Sequence, residues 1–209
     1  NITKLKALNN KVYFTIGDNN LWVSDGTELG TYIVKEMNYS ISNIETINNK
    51  LLFNLSGYNG KPYAIFVSDG TEAGTTELVI SDDVNIGMYM MDISLGTKTD
   101  DCLYFTGFSK TYSAIIWRTD GTVDGTSVVW SNSNLYMSSN VYPYGDQIIV
   151  GGIYDSETGT EPWITDNTES GGHLIKDIVP GTDSSNPQNF IEYNGKIYFT
   201  AIISGFYRF

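Results

Sequence analysis

Only one cysteine, one histidine and two arginines (Arg118 and Arg208) occur in 209 residues, and each scarcity removes a class of chemistry. With Cys102 alone the chain closes no internal disulfide, so cysteine usage says nothing about redox compartment. Its followers Leu103, Tyr104 and Phe105 mark it as a small buried hydrophobe in preference to a nucleophile. His173 has no His or Cys companion with which to hold a metal, and reads as structural. Acidic residues number 24 against 12 basic ones, a net charge of −12. Without a clustered Lys/Arg surface, nucleic acid is not expected as a partner. The acidity reads as solubility outside a cell, or as a diffuse cation-binding surface. No apolar run approaches the ~20 residues of a helix that crosses a bilayer, so no membrane-spanning segment is expected. The chain opens on Asn1 without Met and carries no signal peptide, which reads as a processed or partial chain.

What is abundant is aromatic and repetitive. Hydrophobic residues make up 41% and aromatic residues 13%, including 15 Tyr, too many for a disordered chain. Four times an aromatic residue precedes an Asp-Gly-Thr-like turn and a second glycine: Trp22 to Thr31, Phe66 to Thr75, Trp117 to Thr126, and Trp163 to Gly172. The turn aspartates Asp25, Asp69, Asp120 and Asp166 are spaced by 44, 51 and 46 residues. A fifth unit begins near the C-terminus and reaches its third run at Tyr207-Arg208, mirroring Trp117-Arg118.

Each unit divides into four strand-like runs. The first alternates apolar and polar residues, as in 2–8 and 41–47. Next comes a turn at Asn9-Asn10, Asn48-Asn49, Asp100-Asp101, Gly145-Asp146 or Asn194-Gly195, residue types that tolerate the positive φ of two-residue hairpins. The second run is almost wholly apolar: Val12-Tyr13-Phe14, Leu51-Leu52-Phe53, Leu103-Tyr104-Phe105, Ile148-Ile149-Val150 and Ile197-Tyr198-Phe199. Such a run suits a strand covered on both faces. The third run carries the aromatic residue; the fourth is Tyr32-Ile33-Val34, Glu77-Leu78-Val79, Ser127-Val128-Val129 or His173-Leu174-Ile175.

Four strands in about 45 residues is the size of a propeller blade. The expected fold is all-β, a β-propeller of four-stranded antiparallel blades, about five in this chain with the last incomplete. The units run at about 1–38, 39–81, 84–131, 135–179 and 187–209, as one repeat domain 1–209 and part of a larger protein. A β-solenoid or a row of small sheets is the alternative architecture.

The recurring Asp beside hydroxyls admits a ligand or calcium reading, but a structural one is favoured. Each Asp can accept hydrogen bonds from turn amides just ahead. Gly26, Gly70 and Gly121 supply positive φ, and Asn167 in the fourth unit is the next most tolerant type. The second glycines, Gly30, Gly74, Gly125 and Gly171, would restart the fourth strand. The aromatic residue three before each Asp would pack between neighbouring blades, each ring burying ~150–250 Å². The close spacing of oxygen ligands in calcium loops is missing, and Asp82-Asp83 and Asp100-Asp101 read as solvated turns. No catalytic, cofactor-binding or metal-binding residue is assigned. Ligand-binding positions stay open, with recognition expected in the loops 17–20, 56–63 and 154–161, which vary between units.

The motif Trp-x-x-Asp-x-Thr-x-x-Gly in units one and four, followed by Lys35-Glu36-Met37 or Lys176-Asp177-Ile178, resembles the bacterial ELWxxDGT repeat family. The stretch 179–186 ahead of 193–200 is similar to that family's inter-repeat segment. The chain departs from the pattern at Phe66, Asn167 and Gly172, expected to weaken individual turns. The resemblance implies a secreted or surface-exposed bacterial propeller-like protein, with relatives that carry type IX secretion sorting domains; it brings no catalytic residues. The turn also resembles the Asp-box of sialidase-type propellers, a structural hairpin there too. A three-arginine sialidase site cannot be built from two arginines unless further chain supplies more. The expected function is a noncatalytic secreted or cell-surface scaffold for adhesion or binding. The alternatives are a lectin-like carbohydrate-binding propeller, an exported cargo segment of a secretion system, and a glycoside-acting enzyme with rim-loop carboxylates. A glycan or a surface or secretion component is the corresponding partner.

Overall fold

Apolar side chains on both faces of a strand must meet another sheet on each side, and stacking sheets is how this chain meets that demand. The structure, a computed structural model, describes residues 2–57, 59, 63–78, 92–107, 114–132, 134–137, 141–166, 168, 171–203 and 206–208. The repeat units fold in chain order into five antiparallel sheets. The first contains β1 (Ile2–Leu8), β2 (Lys11–Ile16), β3 (Asn20–Ser24) and β4 (Tyr32–Glu36); the second β5 (Ser40–Ile47), β6 (Lys50–Ser56), β7 (Tyr63–Ser68) and β8 (Thr76–Glu77). The third contains β9 (Asp92–Lys98), β10 (Leu103–Gly107), β11 (Ala114–Thr119) and β12 (Ser127–Asn132). In the fourth, β13 (Tyr136–Met137) and β14 (Val141–Tyr144) both pair with β15 (Gln147–Asp155), which is followed by β16 (Gly159–Thr165) and β17 (His173–Leu174). The fifth has β18 (Gln188–Tyr193), β19 (Lys196–Ile203) and β20 (Phe206–Arg208). These are the blades of a β-propeller, the last with three strands.

Register repeats with the sequence. The second run pairs with the aromatic run through Phe14↔Trp22, Phe53↔Phe66, Phe105↔Trp117 and Val150↔Trp163. A bulge then follows on the fourth strand of the first and third blades, where the pairing skips Val34 and Val129 and both side chains are buried. An extra residue of this kind increases local twist and re-aims a side chain.

Packing runs between consecutive blades. Leu8, Tyr13, Leu21, Val23 and Val34 of the first blade meet Ile41, Ile44, Leu51, Phe53, Leu55 and Phe66 of the second. The opposite face of that second blade, with Ile47, Leu52, Ile65 and Leu78, meets Leu103, Phe105, Ile115 and Trp117. Ile116, Val129 and Trp130 then meet Val141, Ile148, Val150 and Ile153, with Trp163 packed against them. The aromatic residue thus lies between blades at Phe66, Trp117 and Trp163. In the first blade Trp22 stacks on Phe14 of its own sheet instead, at 6.4 Å between centroids.

Hairpin turns follow their residue types with one exception. Asn9, Asn10, Asn48, Asn49, Asn194 and Gly195 have positive φ, as does Gly145. Asp100 and Asp101 do not; that connection is closed by Thr99, whose N–H and hydroxyl both donate to the Cys102 carbonyl at 2.8 and 3.0 Å. A longer loop with a threonine clasp removes the need for left-handed residues. Asn167, Val79, Asp82-Asp83 and residues 58 and 60–62 of the 56–63 loop lie outside the described residues.

Phe53 is fully buried and stacks on Phe66 at 5.8 Å. Phe53→Ala should cost about 3–5 kcal/mol, read as a lowered midpoint in urea unfolding; a change below ~1 kcal/mol would contradict this view of the inter-blade core.

Candidate functional site

The conspicuous candidate, the repeated aspartate, is bonded to its own turn. Asp25 Oδ1 accepts from the Thr27 N–H at 2.9 Å and from the Thr27 hydroxyl at 2.7 Å. Thr27 Oγ1 in turn accepts from the Gly30 N–H at 2.9 Å, and the Thr31 hydroxyl donates to the Thr27 carbonyl at 2.6 Å. Ser24 and Thr31 share a hydroxyl–hydroxyl bond of 2.7 Å, and Ser24 Oγ accepts from the Gly26 N–H at 3.0 Å. The same network recurs through Ser68, Asp69, Thr71 and Thr75, and through Thr119, Asp120, Thr122 and Thr126.

These bonds set two further requirements. The threonine hydroxyl, followed by the backbone amide in three of the four turns, holds Asp25, Asp69, Asp120 and Asp166 below the usual carboxylate range. The aspartate also lies over the second glycine: an added Cβ would fall 1.9 Å from Asp25 at Gly30, 2.1 Å from Asp69 at Gly74 and 2.0 Å from Asp120 at Gly125. That glycine is therefore required for space beneath a carboxylate, a reason that strand restart alone does not supply.

The fourth turn departs where its sequence does. Asp166 still accepts from Thr168, but Gly172 stands where Thr31, Thr75 and Thr126 stand in the other turns. The Thr165 hydroxyl, equivalent to those of Ser24, Ser68 and Thr119, is buried and finds no hydrogen-bond partner among the described residues. The vacated volume holds the Trp130 indole of the preceding blade: a Cβ on Gly172 would meet Trp130 Nε1 at 2.2 Å. A hydroxyl pair has been exchanged for an inter-blade aromatic contact.

Glu161 is fully buried on β16, two residues before Trp163. It accepts from the N–H groups of Ile178 (3.1 Å), Val179 (3.3 Å) and Ser185 (3.0 Å), and from the Ser185 hydroxyl at 2.6 Å. Its carboxylate folds the connection 176–187 onto the blade, and the Ser185 carbonyl then accepts from Ile202 N–H of β19 at 2.7 Å. Sequence reasoning missed it, although a charged residue in a strand position held elsewhere by Asn20, Ala64 and Ile115 was the available signal.

The other titratable candidates are not brought together. His173 is exposed, its Nδ1 3.2 Å from the Gly171 carbonyl. Cys102 is buried and accepts from Arg118 Nη2 at 3.2 Å. Among the described residues no group of three or more His, Cys, Asp or Glu side chains is placed to hold a metal ion. Two surface features have ligand-like shape. Tyr136 and Tyr154, both exposed, sit directly opposite one another on β13 and β15 with ring centroids 6.5 Å apart and planes tilted by 52°. A cavity of about 120 Å³ opens on the fifth blade between Asn186, Gln188, Thr200, Ala201 and Ile202.

No family model matches this sequence, and no curated protein matches it. Solved structures do match in fold. Puromycin hydrolase superposes with a TM-score of 0.55 at 11% identity, over 96% of this chain and 33% of that one, both alone and as its S511A mutant complexed with PGG. The computationally designed Ika8 protein gives a TM-score of 0.49 at 14% identity, over 96% of this chain and 54% of that one. The chain thus spans about a third of the length of puromycin hydrolase, and the likeness is one of fold.

Three outcomes follow for the staples and the anchor. Because folded-state ionisation of the turn aspartates is favoured over the unfolded value of about 3.9, their contribution is complete above that value and is lost as pH falls through the lower folded values. Asp69→Asn should lower the urea midpoint at pH 7, and the difference from the unmodified protein should shrink as pH falls below about 4; a pH-independent difference would contradict the assignment. Thr165→Val should be neutral or stabilising, whereas Thr119→Val should destabilise by about 1–2 kcal/mol, both read from thermal unfolding. Glu161→Gln turns an amide donor onto N–H or O–H donors, and should cost about 3 kcal/mol with early proteolysis within 176–187.

Proposed function

We propose that this chain is a noncatalytic repeat scaffold of a secreted or surface-exposed bacterial protein, acting in adhesion or binding. The observation that supports it most is where the perturbed carboxylates point. Asp25, Asp69, Asp120 and Asp166 are each bonded to a threonine two residues on, and the depressed ionisation of each is a property of its own turn. Perturbed titration is a functional signal when a group faces a cleft, and here it faces backbone. Resemblance to the ELWxxDGT repeats points the same way. Puromycin hydrolase contributes a fold comparison and no residue roles.

Within that reading, the ligand class is carbohydrate. Tyr136 and Tyr154 offer two adjacent exposed rings at a tilt that can cup the apolar face of a sugar. Tyrosine supplies large, rigid contact area with a polar tip at low entropic cost. The test is a glycan array followed by calorimetry on any hit. Tyr136→Ala and Tyr154→Ala should each weaken binding about tenfold, close to the 1–2 kcal/mol of one lost ring contact, with unfolding unchanged. An array blank at every density removes the carbohydrate reading. Hydrolysis of a glycoside by the purified chain would overturn the noncatalytic one.

A further inference from the structure

The exposed pair of rings belongs to a longer row. Tyr136 on β13 lies opposite Tyr154 on β15, and Tyr154 in turn lies opposite Thr160 on β16. Residues in register share a face of the sheet, so two rings and a threonine side chain form one surface across three strands. The opposite face is already taken, because Ile153, which lies opposite Glu161, packs towards the third blade. The fifth blade presses on β15 lower down, where a Cβ on Gly151 would fall 2.6 Å from the Phe190 ring. Beyond that contact Tyr136 is 60% and Tyr154 43% exposed.

The Thr160 end of the row is bounded by the connection that follows β17. The Thr160 N–H donates to Ser184 Oγ at 2.9 Å, and its carbonyl accepts from the Asn186 N–H at 3.1 Å, so residues 184–186 run beside Thr160 as a further strand would. Gly159 permits that approach, since a Cβ there would fall 2.2 Å from the Asp183 carbonyl oxygen. Between Ser184 and Asn186, Ser185 is buried, and its N–H and hydroxyl donate to the fully buried Glu161 carboxylate at 3.0 and 2.6 Å. Thr160 and Glu161 are adjacent in one strand and so point to opposite faces. One of them joins the row while the other holds the connection that bounds it.

We infer that this row recognises a neutral sugar ring, with Tyr136 and Tyr154 under its apolar face, the Thr160 and Ser184 hydroxyls against its edge, and Glu161 as the positioning residue. The inference rests on the carbohydrate reading above and adds to it a polar wall on one side. Ser184 Oγ accepts the Thr160 N–H and keeps its own proton for a sugar oxygen, while the Thr160 hydroxyl can donate or accept. An aromatic floor binds any pyranose of suitable width, whereas fixed hydroxyls separate epimers. Neutrality follows from charge. Asp155 and Glu157 come directly after Tyr154, and Asp177 and Asp183 lie in the connection, against Lys176 as the one lysine or arginine of these two segments. An anionic sugar is repelled at such short range.

Calorimetry with trisaccharides of glucose, mannose, galactose and galacturonate tests this, at a temperature well below unfolding and with circular dichroism verifying each fold. One neutral trisaccharide should bind about fivefold tighter than its epimers, and the galacturonate one should bind weakest. Tyr136→Ala should weaken the neutral three in parallel, whereas Thr160→Val should abolish the preference and leave the weaker epimers unchanged. Glu161→Gln should abolish it too without touching sugar, and Ser185→Ala is the milder variant of the same anchor. A role in stability alone would lower the unfolding midpoint and keep the ratio between epimers. Tyrosine-dependent binding with equal affinity for the epimers, or with a ratio that survives Thr160→Val or both anchor variants, overturns this inference and spares the carbohydrate reading. Tightest binding of galacturonate does the same. No binding of any of the four also overturns it, and a blank array removes the carbohydrate reading as well.

Discussion

A short strand with apolar residues on both faces cannot be satisfied inside one four-stranded sheet, and this constraint organises the molecule. The second strand of each blade is such a strand, with Leu51 and Phe53 turned one way and Leu52 the other. Each blade must therefore be covered twice, and successive blades supply the cover. Among the described residues the buried inter-blade apolar side chains fall into three separate clusters, which makes the stack quasi-one-dimensional in its energetics.

The turn staple serves that arrangement from the periphery. By bonding to its own threonine, each aspartate fixes the loop between third and fourth strands without borrowing a partner from elsewhere. The glycine under the carboxylate and the left-handed glycine beside it then let the turn come close to the blade before it, as Gly70 does to Tyr13. Local hydrogen bonding and inter-blade packing are thereby joined at one short loop. The fourth blade shows how the two can be traded: Gly172 forgoes the hydroxyl pair and admits Trp130.

Much of this was legible in the sequence because it is periodic. Residue spacing located the blades, and Asn9-Asn10 or Asn48-Asn49 announced their hairpins through backbone preference alone. Most of what escaped occurs once. Asp100-Asp101 looked like the other turns but yielded to a clasp by Thr99. Glu161 looked like any rim carboxylate, since its four donors come from a connection 17 to 24 residues away that no local pattern ties to it. The reason for Gly30, room for a carboxylate above it, is a three-dimensional fact without a one-dimensional signature. The Tyr136–Tyr154 pair likewise depends on the pairing of β13 with β15, which sets the two rings side by side.

The staple bonds join residues only two to seven positions apart. Closing such a loop costs little chain entropy, so the outer hairpin of a blade can form while the rest of the chain is still unstructured. Contacts between blades come from adjacent units and demand no return of distant chain. A polypeptide built this way can acquire structure in the order in which it emerges, one blade at a time, each new sheet using the last as its template.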